Sequence, residues 1–91
     1  MTTITLKIYG SVLTGREFGK NITAVVIKES SPPFTLDFSG VISMGSSFGD
    51  ELLPALAKLQ TEPLKVLNAN QVVMSCINKI KEDSKIEVSL G

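Results

Sequence analysis

Hydrophobic and polar positions along this chain alternate between two rhythms. Ile4, Leu6 and Ile8 take turns with Thr5, Lys7 and Tyr9, the period of a pleated strand. Gly10 and Ser11 turn the chain, and from Thr14 the rhythm becomes helical. Phe18, Ile22, Val25 and Val26 share one stripe, with Arg16, Lys20 and Lys28 elsewhere. Thr14 and Glu17 have the spacing of a capping box, although the β-branched run from Thr23 to Ile27 also suits a strand. Ser30-Ser31-Pro32-Pro33 ends the element, because a residue before proline avoids helical ψ. Phe34, Leu36 and Phe38 then alternate with Thr35, Asp37 and Ser39, predicting a second strand. Gly40, Gly45 and Gly49 punctuate the next stretch, before Leu52, Leu53, Leu56 and Leu59 recur at helical spacing. Past Pro63, Leu64, Val66 and Leu67 predict a third strand. Asn68 and Asn70 are candidate caps of a third helix with Val72, Val73, Cys76, Ile77 and Ile80 on one face. Lys79, Lys81, Glu82 and Asp83 decorate its solvent side. Ile86, Val88 and Leu90 alternate with Lys85, Glu87 and Ser89 in a last strand.

Strand and helix repeated three times and closed by a strand call for right-handed crossovers and an α/β fold. The strands are not continuously apolar, as a sheet covered on both faces would require. The expected architecture is a single domain over residues 1–91: a four-stranded, largely parallel or mixed sheet with three helices mostly on one face. The other face should show Thr3, Thr5, Lys7, Tyr9, Thr35, Asp37, Lys85 and Glu87.

Composition removes several classes of function. Nine basic and nine acidic residues give zero formal charge, so neither nucleic acid nor an anionic membrane finds an electrostatic footprint. Aromatic residues are 5% and Trp is absent, which disfavours a base-stacking platform. Cys76 is the one cysteine, so no internal disulfide forms and a reducing, cytoplasmic setting is expected. No apolar run approaches the roughly 18 residues of a membrane span, and polar Thr2, Thr3, Thr5 and Lys7 interrupt any signal-peptide core.

The segment from Leu36 to Leu52 carries the candidate chemistry. Ser46 and Ser47 sit where the second helix should begin. Ser47 is one candidate cap, with Asp50 three residues later; Asp50 is another, because Pro54 has no N–H for the Asp50 carbonyl and would then fall in the first turn. In that second case both serines are free in a loop. A phosphate on either would add about −1.5 to −2 charges at pH 7 beside the positive helix end, opposed by Asp50 and Glu51. The plainer alternative makes Ser-Ser a capping and turn element only.

Leu36-Asp37-Phe38-Ser39-Gly40-Val41 resembles the strand motif shared by STAS domains and the STAS-like family, relatives of the anti-sigma-factor antagonists. Phe48-Gly49-Asp50-Glu51-Leu52 is similar to the Phe-x-Asp-Glu-Leu pattern of the STAS-like family, and Arg16-Glu17-Phe18-Gly19 to its Arg-x-x-Gly. Asn68 and Asn70 fall where that family often places asparagine. The resemblance implies a non-enzymatic regulatory module that works by partner switching through the Ser43–Asp50 loop and the second helix. Its partner would be a protein, a histidine-kinase-like ATPase domain, and serine phosphorylation would end the association. Antagonist loops read Asp-Ser-Ser-Gly; here Gly45 and Phe48 flank the serine pair, and Ser47 occupies the usual acceptor position with Ser46 beside it. Ser43, Met44, Gly45, Phe48, Asp50 and Glu51 would line the partner surface. Asp37 is a candidate for orienting the loop and Arg16 for contacting a phosphate.

Other chemistry has less to stand on. No histidine is present to activate Cys76, which reads as a core residue of the third helix. The acidic pairs Asp50-Glu51 and Glu82-Asp83 point in different directions on a helix, so no metal site is expected, and no cofactor. Gly10-x-x-x-x-Gly15-Arg16 lacks the Lys-Ser/Thr of a phosphate loop. The competing function is a stand-alone interaction or inhibitor protein, of the kind found on mobile elements, using the open sheet face or an edge strand without phosphorylation. Neither reading fixes an oligomeric state.

Overall fold

A computed structural model describes residues 2–90. In chain order it contains β1 (Thr2–Thr5), a 3-10 turn (Leu6–Tyr9), β2 (Val12–Leu13), α1 (Arg16–Glu29), β3 (Phe34–Asp37) and β4 (Ser43–Met44). α2 (Ser46–Ala57), β5 (Leu64–Leu67), α3 (Gln71–Ser84) and β6 (Val88–Leu90) complete the order. The chain is α/β as expected, with three helices, a four-stranded sheet and a small two-stranded sheet. In the main sheet the order is β1-β3-β5-β6 and every pairing is parallel. β2 and β4, which hydrophobic alternation does not reveal, form the second sheet, also parallel. No helix among the described residues is long and apolar enough to cross a membrane.

The main sheet grows in one direction along the chain. Right-handed crossovers that always step the same way put α1, α2 and α3 on one face. Ile4, Leu36, Val66 and Leu90 stand in register as one row on that face. Phe34, Leu64, Phe48, Leu52, Leu53, Leu56, Val73, Ile77 and Ile80 fill the space between sheet and helices. The opposite face carries the row Thr3, Thr35, Lys65 and Ser89. Thr35 is nonetheless buried, contrary to the expectation that it would lie open, because Thr3 and Lys65 flank it on the central strand.

Several boundaries move, each for a local reason. The first strand stops at Thr5, opposite Asp37 where β3 also stops, so residues 6–9 have no ladder partner and curl into the 3-10 turn. Lys7 and Tyr9 therefore leave the sheet, and Ile8 is exposed. Thr14 does not cap α1; Gly15 does, at φ +98°, and Thr14 packs instead against Gly45. On α1 the buried stripe is Gly19, Ile22, Thr23 and Val26, while Val25 lies off it with 37% of its surface exposed. Val72 on α3 and Leu59 beyond α2 are exposed too.

The helices approach one another unusually closely. A Cβ on Gly19 would lie 2.9 Å from the Phe48 carbonyl oxygen and 3.1 Å from Glu51 Cβ, so α1 can meet α2 only with glycine there. A Cβ on Gly49 would strike Ile80 Cδ1 on α3. Thr23 Oγ1 donates to the Gly19 carbonyl at 2.7 Å and also faces the Glu51 carbonyl at 3.3 Å. At the other end of the sheet, Gln60 ties the start of β3 to the segment that leads into β5. Its Oε1 accepts from Phe34 N–H at 2.7 Å, and its Nε2 donates to the Glu62 carbonyl at 2.9 Å.

Gly19→Ala should lower the unfolding free energy by about 1–3 kcal/mol, since the opposing oxygen is backbone and cannot step aside. Gly49→Ala should cost less, because the obstacle is the tip of a side chain, and Ile80→Val should recover part of that loss. Denaturant titration of the three variants checks the order; equal losses for both glycines would contradict it.

Candidate functional site

Ser43–Asp50 is not a loop. Ser43 and Met44 form β4, Gly45 is the N-cap of α2, and both Ser46 and Ser47 are helical residues of its first turn. Neither Ser47 nor Asp50 is the cap. The Gly45 N–H donates to the Leu13 carbonyl at 2.8 Å, and the Gly45 carbonyl accepts from Gly49 N–H at 3.0 Å, so the β2–β4 pairing delivers the chain directly into the helix. Pro54 lies inside α2. Its missing N–H leaves the Asp50 carbonyl without a helical donor, tolerable where Asp50 is exposed.

The residues expected to line a partner surface divide into two groups. Ser46 and Asp50 are exposed, and Ser43, Gly45 and Ser47 are half-buried. Met44 and Phe48 are buried in the core, and this corrects their assignment to a contact surface. The Phe48 ring packs on Phe18 with centroids 5.5 Å apart. Glu51 is half-buried and engaged: its Oε2 accepts from Arg16 Nη1 at 2.7 Å across the α1–α2 seam. Arg16 is thus an ion-pair partner of Glu51 rather than a free guanidinium. Arg16 and Gly19 of α1 meet Glu51 and Phe48 of α2, so the two helix motifs are the two halves of one interface.

The hydrogen bonds of Asp37 go to the turn after β3 and to the end of β5, not to the Ser43–Asp50 segment it was expected to orient. Its Oδ1 accepts from Ser39 N–H at 2.9 Å and from Asn68 Nδ2 at 3.0 Å. The bond from Asn68 first, and that from Ser39 second, hold the Asp37 carboxyl below its ordinary value of 3.8. Asn68 sits in left-handed backbone at φ 58°, so it ends β5 and does not cap α3. Asn70 is the cap: its Oδ1 accepts from Val73 N–H at 2.8 Å. The Nδ2 of Asn70 donates to the carbonyls of Val41 (3.2 Å) and Ile42 (2.9 Å), fastening the rim to α3. Lys7 lays its stem over Gly40 in the same region. Burial, and after it the Asp50 carboxylate, raises the Cys76 thiol above its ordinary 9.0 against the pull of Lys79.

Alternation could not find the apolar side chains gathered on this rim. Ile8 (73% exposed), Val12 (54%), Ile42 (62%) and Val72 (57%) all lie at the carboxyl end of the main sheet. Val12 stands beside Ser43 in the small sheet, and Ile42 N–H donates to the Ser11 carbonyl at 2.7 Å. Val72 comes two residues after Asn70, which holds Ile42. For Val12 and Ile42 the available signal was an aliphatic pair, Val12-Leu13 and Val41-Ile42, set among glycine and serine. Because the strand order never reverses, the sheet lacks the point where open α/β sheets form a ligand crevice. The two larger grooves, of 390 and 460 Å³, lie elsewhere, around Lys58–Glu62. Among the described residues no three His, Cys, Asp or Glu side chains converge as metal ligands. No protein-family model, curated protein or solved structure matches the chain.

Phe48→Ala should cost about 3–5 kcal/mol of stability, the loss expected of a core aromatic rather than a surface contact. Asp37 contributes stability that is full above pH 3.8 and fades as the pH drops through its lowered folded value. Asp37→Asn should remove that part of the acid-side loss. Urea unfolding at several pH values reads it, and an unchanged pH profile would deny Asp37 this role.

Proposed function

We propose that this chain is a non-enzymatic regulatory module of the cytoplasm. It captures a partner protein on the rim formed by β2, β4 and the first turn of α2. The observation that carries the reading is that Val12, Ile42 and Val72 are exposed at the same end of the sheet from which α2 starts with the exposed Ser46 and Asp50. Apolar side chains gathered beside polar ones suit a protein contact. A sheet with no reversal of strand order favours a surface over a cleft as the working part. The resemblance to anti-sigma-factor antagonists supplies the class of partner, a histidine-kinase-like ATPase domain, and the switching logic. Phosphorylation in the first turn of α2 ends the association, and exposure favours Ser46 over the half-buried Ser47 as acceptor. The new charge would face Asp50 and the partner rather than Arg16, which Glu51 already holds.

The open sheet face is the weaker surface. Its row of Thr3, Thr35, Lys65 and Ser89 is polar, and Lys7 and Tyr9 no longer belong to it.

Titrating the chain against purified histidine-kinase-like ATPase domains from the same genome tests the proposal. Ile42→Asp and Ser46→Glu should each weaken binding about tenfold or more with circular dichroism unchanged, whereas Lys65→Glu should have little effect. Equal affinity in wild type, Ile42→Asp and Ser46→Glu would remove the rim from the function.

A further inference from the structure

Among the described residues, no strand pairs with the outer edge of β6. Val88-Ser89-Leu90 carry no charge and no proline, the usual guards of a sheet edge. Leu64 N–H donates to the Glu87 carbonyl at 3.0 Å, so Glu87, and Ser89 two residues on, turn their main-chain groups toward β5. Val88 and Leu90 therefore turn theirs outward. Leu90 is 64% exposed although it extends the row Ile4, Leu36, Val66 on the helix-covered face. With Val66, Asn68, Ala69 and Met74 it lines an open groove of 180 Å³. The opposite edge has no such deficit, since Ile4 on β1 is only 6% exposed.

We infer that β6 pairs with β6 of a second copy of this chain, antiparallel about a two-fold axis at Ser89, to give one continuous eight-stranded sheet. Strand register selects this occupant. With Ser89 opposite Ser89, the outward N–H and C=O of Val88 exchange both hydrogen bonds with Leu90 of the second copy. The apolar row Ile4, Leu36, Val66, Leu90 then runs on into Val88 and Leu64 of that copy, covering the exposed leucine. The polar row Thr3, Thr35, Lys65, Ser89 meets its own equivalent. A slip of one residue would set Leu90 against the polar row. Zero net charge removes long-range repulsion between copies. The pairing uses a surface apart from the rim and stands or falls independently of it.

Sedimentation of the full chain from micromolar to millimolar concentration should give a mass near twice 9.8 kDa at the upper end. Leu90→Asp should raise the dissociation constant about tenfold or more while circular dichroism stays that of the wild type. Directly opposed residues of a non-hydrogen-bonded antiparallel pair lie about 4.5 Å apart at Cα, within disulfide reach. In a Cys76→Ser background, Ser89→Cys should therefore cross-link: two thiols lose two protons and two electrons, and oxidised glutathione is reduced. Thr3→Cys on the far edge should not. A monomer at every concentration, a dimer indifferent to Leu90→Asp, or an open-ended assembly through β1 would each overturn the inference.

Discussion

A helix is about twice as wide as the space a strand provides for it, and this mismatch governs the molecule. Neighbouring strands are about 4.8 Å apart and packed helices roughly 8–10 Å. A strand order that steps one way forces three helices onto one side of four strands. Gly19 against the Phe48 carbonyl and Gly49 against Ile80 let the helices crowd together. The remaining seam polarity is used locally, with the Thr23 hydroxyl between two carbonyls and the Arg16–Glu51 pair closing the solvent side. The motif residues of the two helices thus have a structural reason to be where they are, apart from any partner.

How much of this the sequence discloses depends on whether a pattern is set by burial or by a neighbour. Burial wrote the stripes of α2 and α3 and the alternation of β3, so the order of the main strands and helices and the fold class were legible, though not β2, β4 or the 3-10 turn. Neighbours decided the rest. The alternation over residues 4–9 outlasts the strand because β3 has no residue left to pair with after Asp37. The Thr14-Glu17 spacing makes no capping box because Thr14 is needed against Gly45. Ser47 and Asp50 looked like caps because β2 and β4, each two residues long, leave no periodic trace from which to foresee how the chain enters α2.

The same distinction separates the candidate site residues. Phe48 and Met44 sit inside a segment read as a loop, and only their burial places them in the core. Asp37 was singled out to orient the Ser43–Asp50 segment, but a carboxylate at a strand end finds its donors close by, here Ser39 N–H in the following turn and Asn68 at the end of β5. Asn70 was legible as a cap but not as the clasp of Val41 and Ile42, contacts nearly thirty positions away in sequence. Ile42 and Val12 become conspicuous only once the small sheet sets them side by side with the helix start.

The one-way strand order also fixes how far apart the first and last strands lie. β1 and β6 form opposite borders of the sheet, and each strand of it rests on the one made before it. A polypeptide leaving the ribosome could therefore complete this domain by accretion, each βα unit settling on a finished surface without threading between earlier strands. Joining β6 back to β1 and cutting the chain elsewhere would undo that order, since a linker would have to cross the full breadth of the sheet.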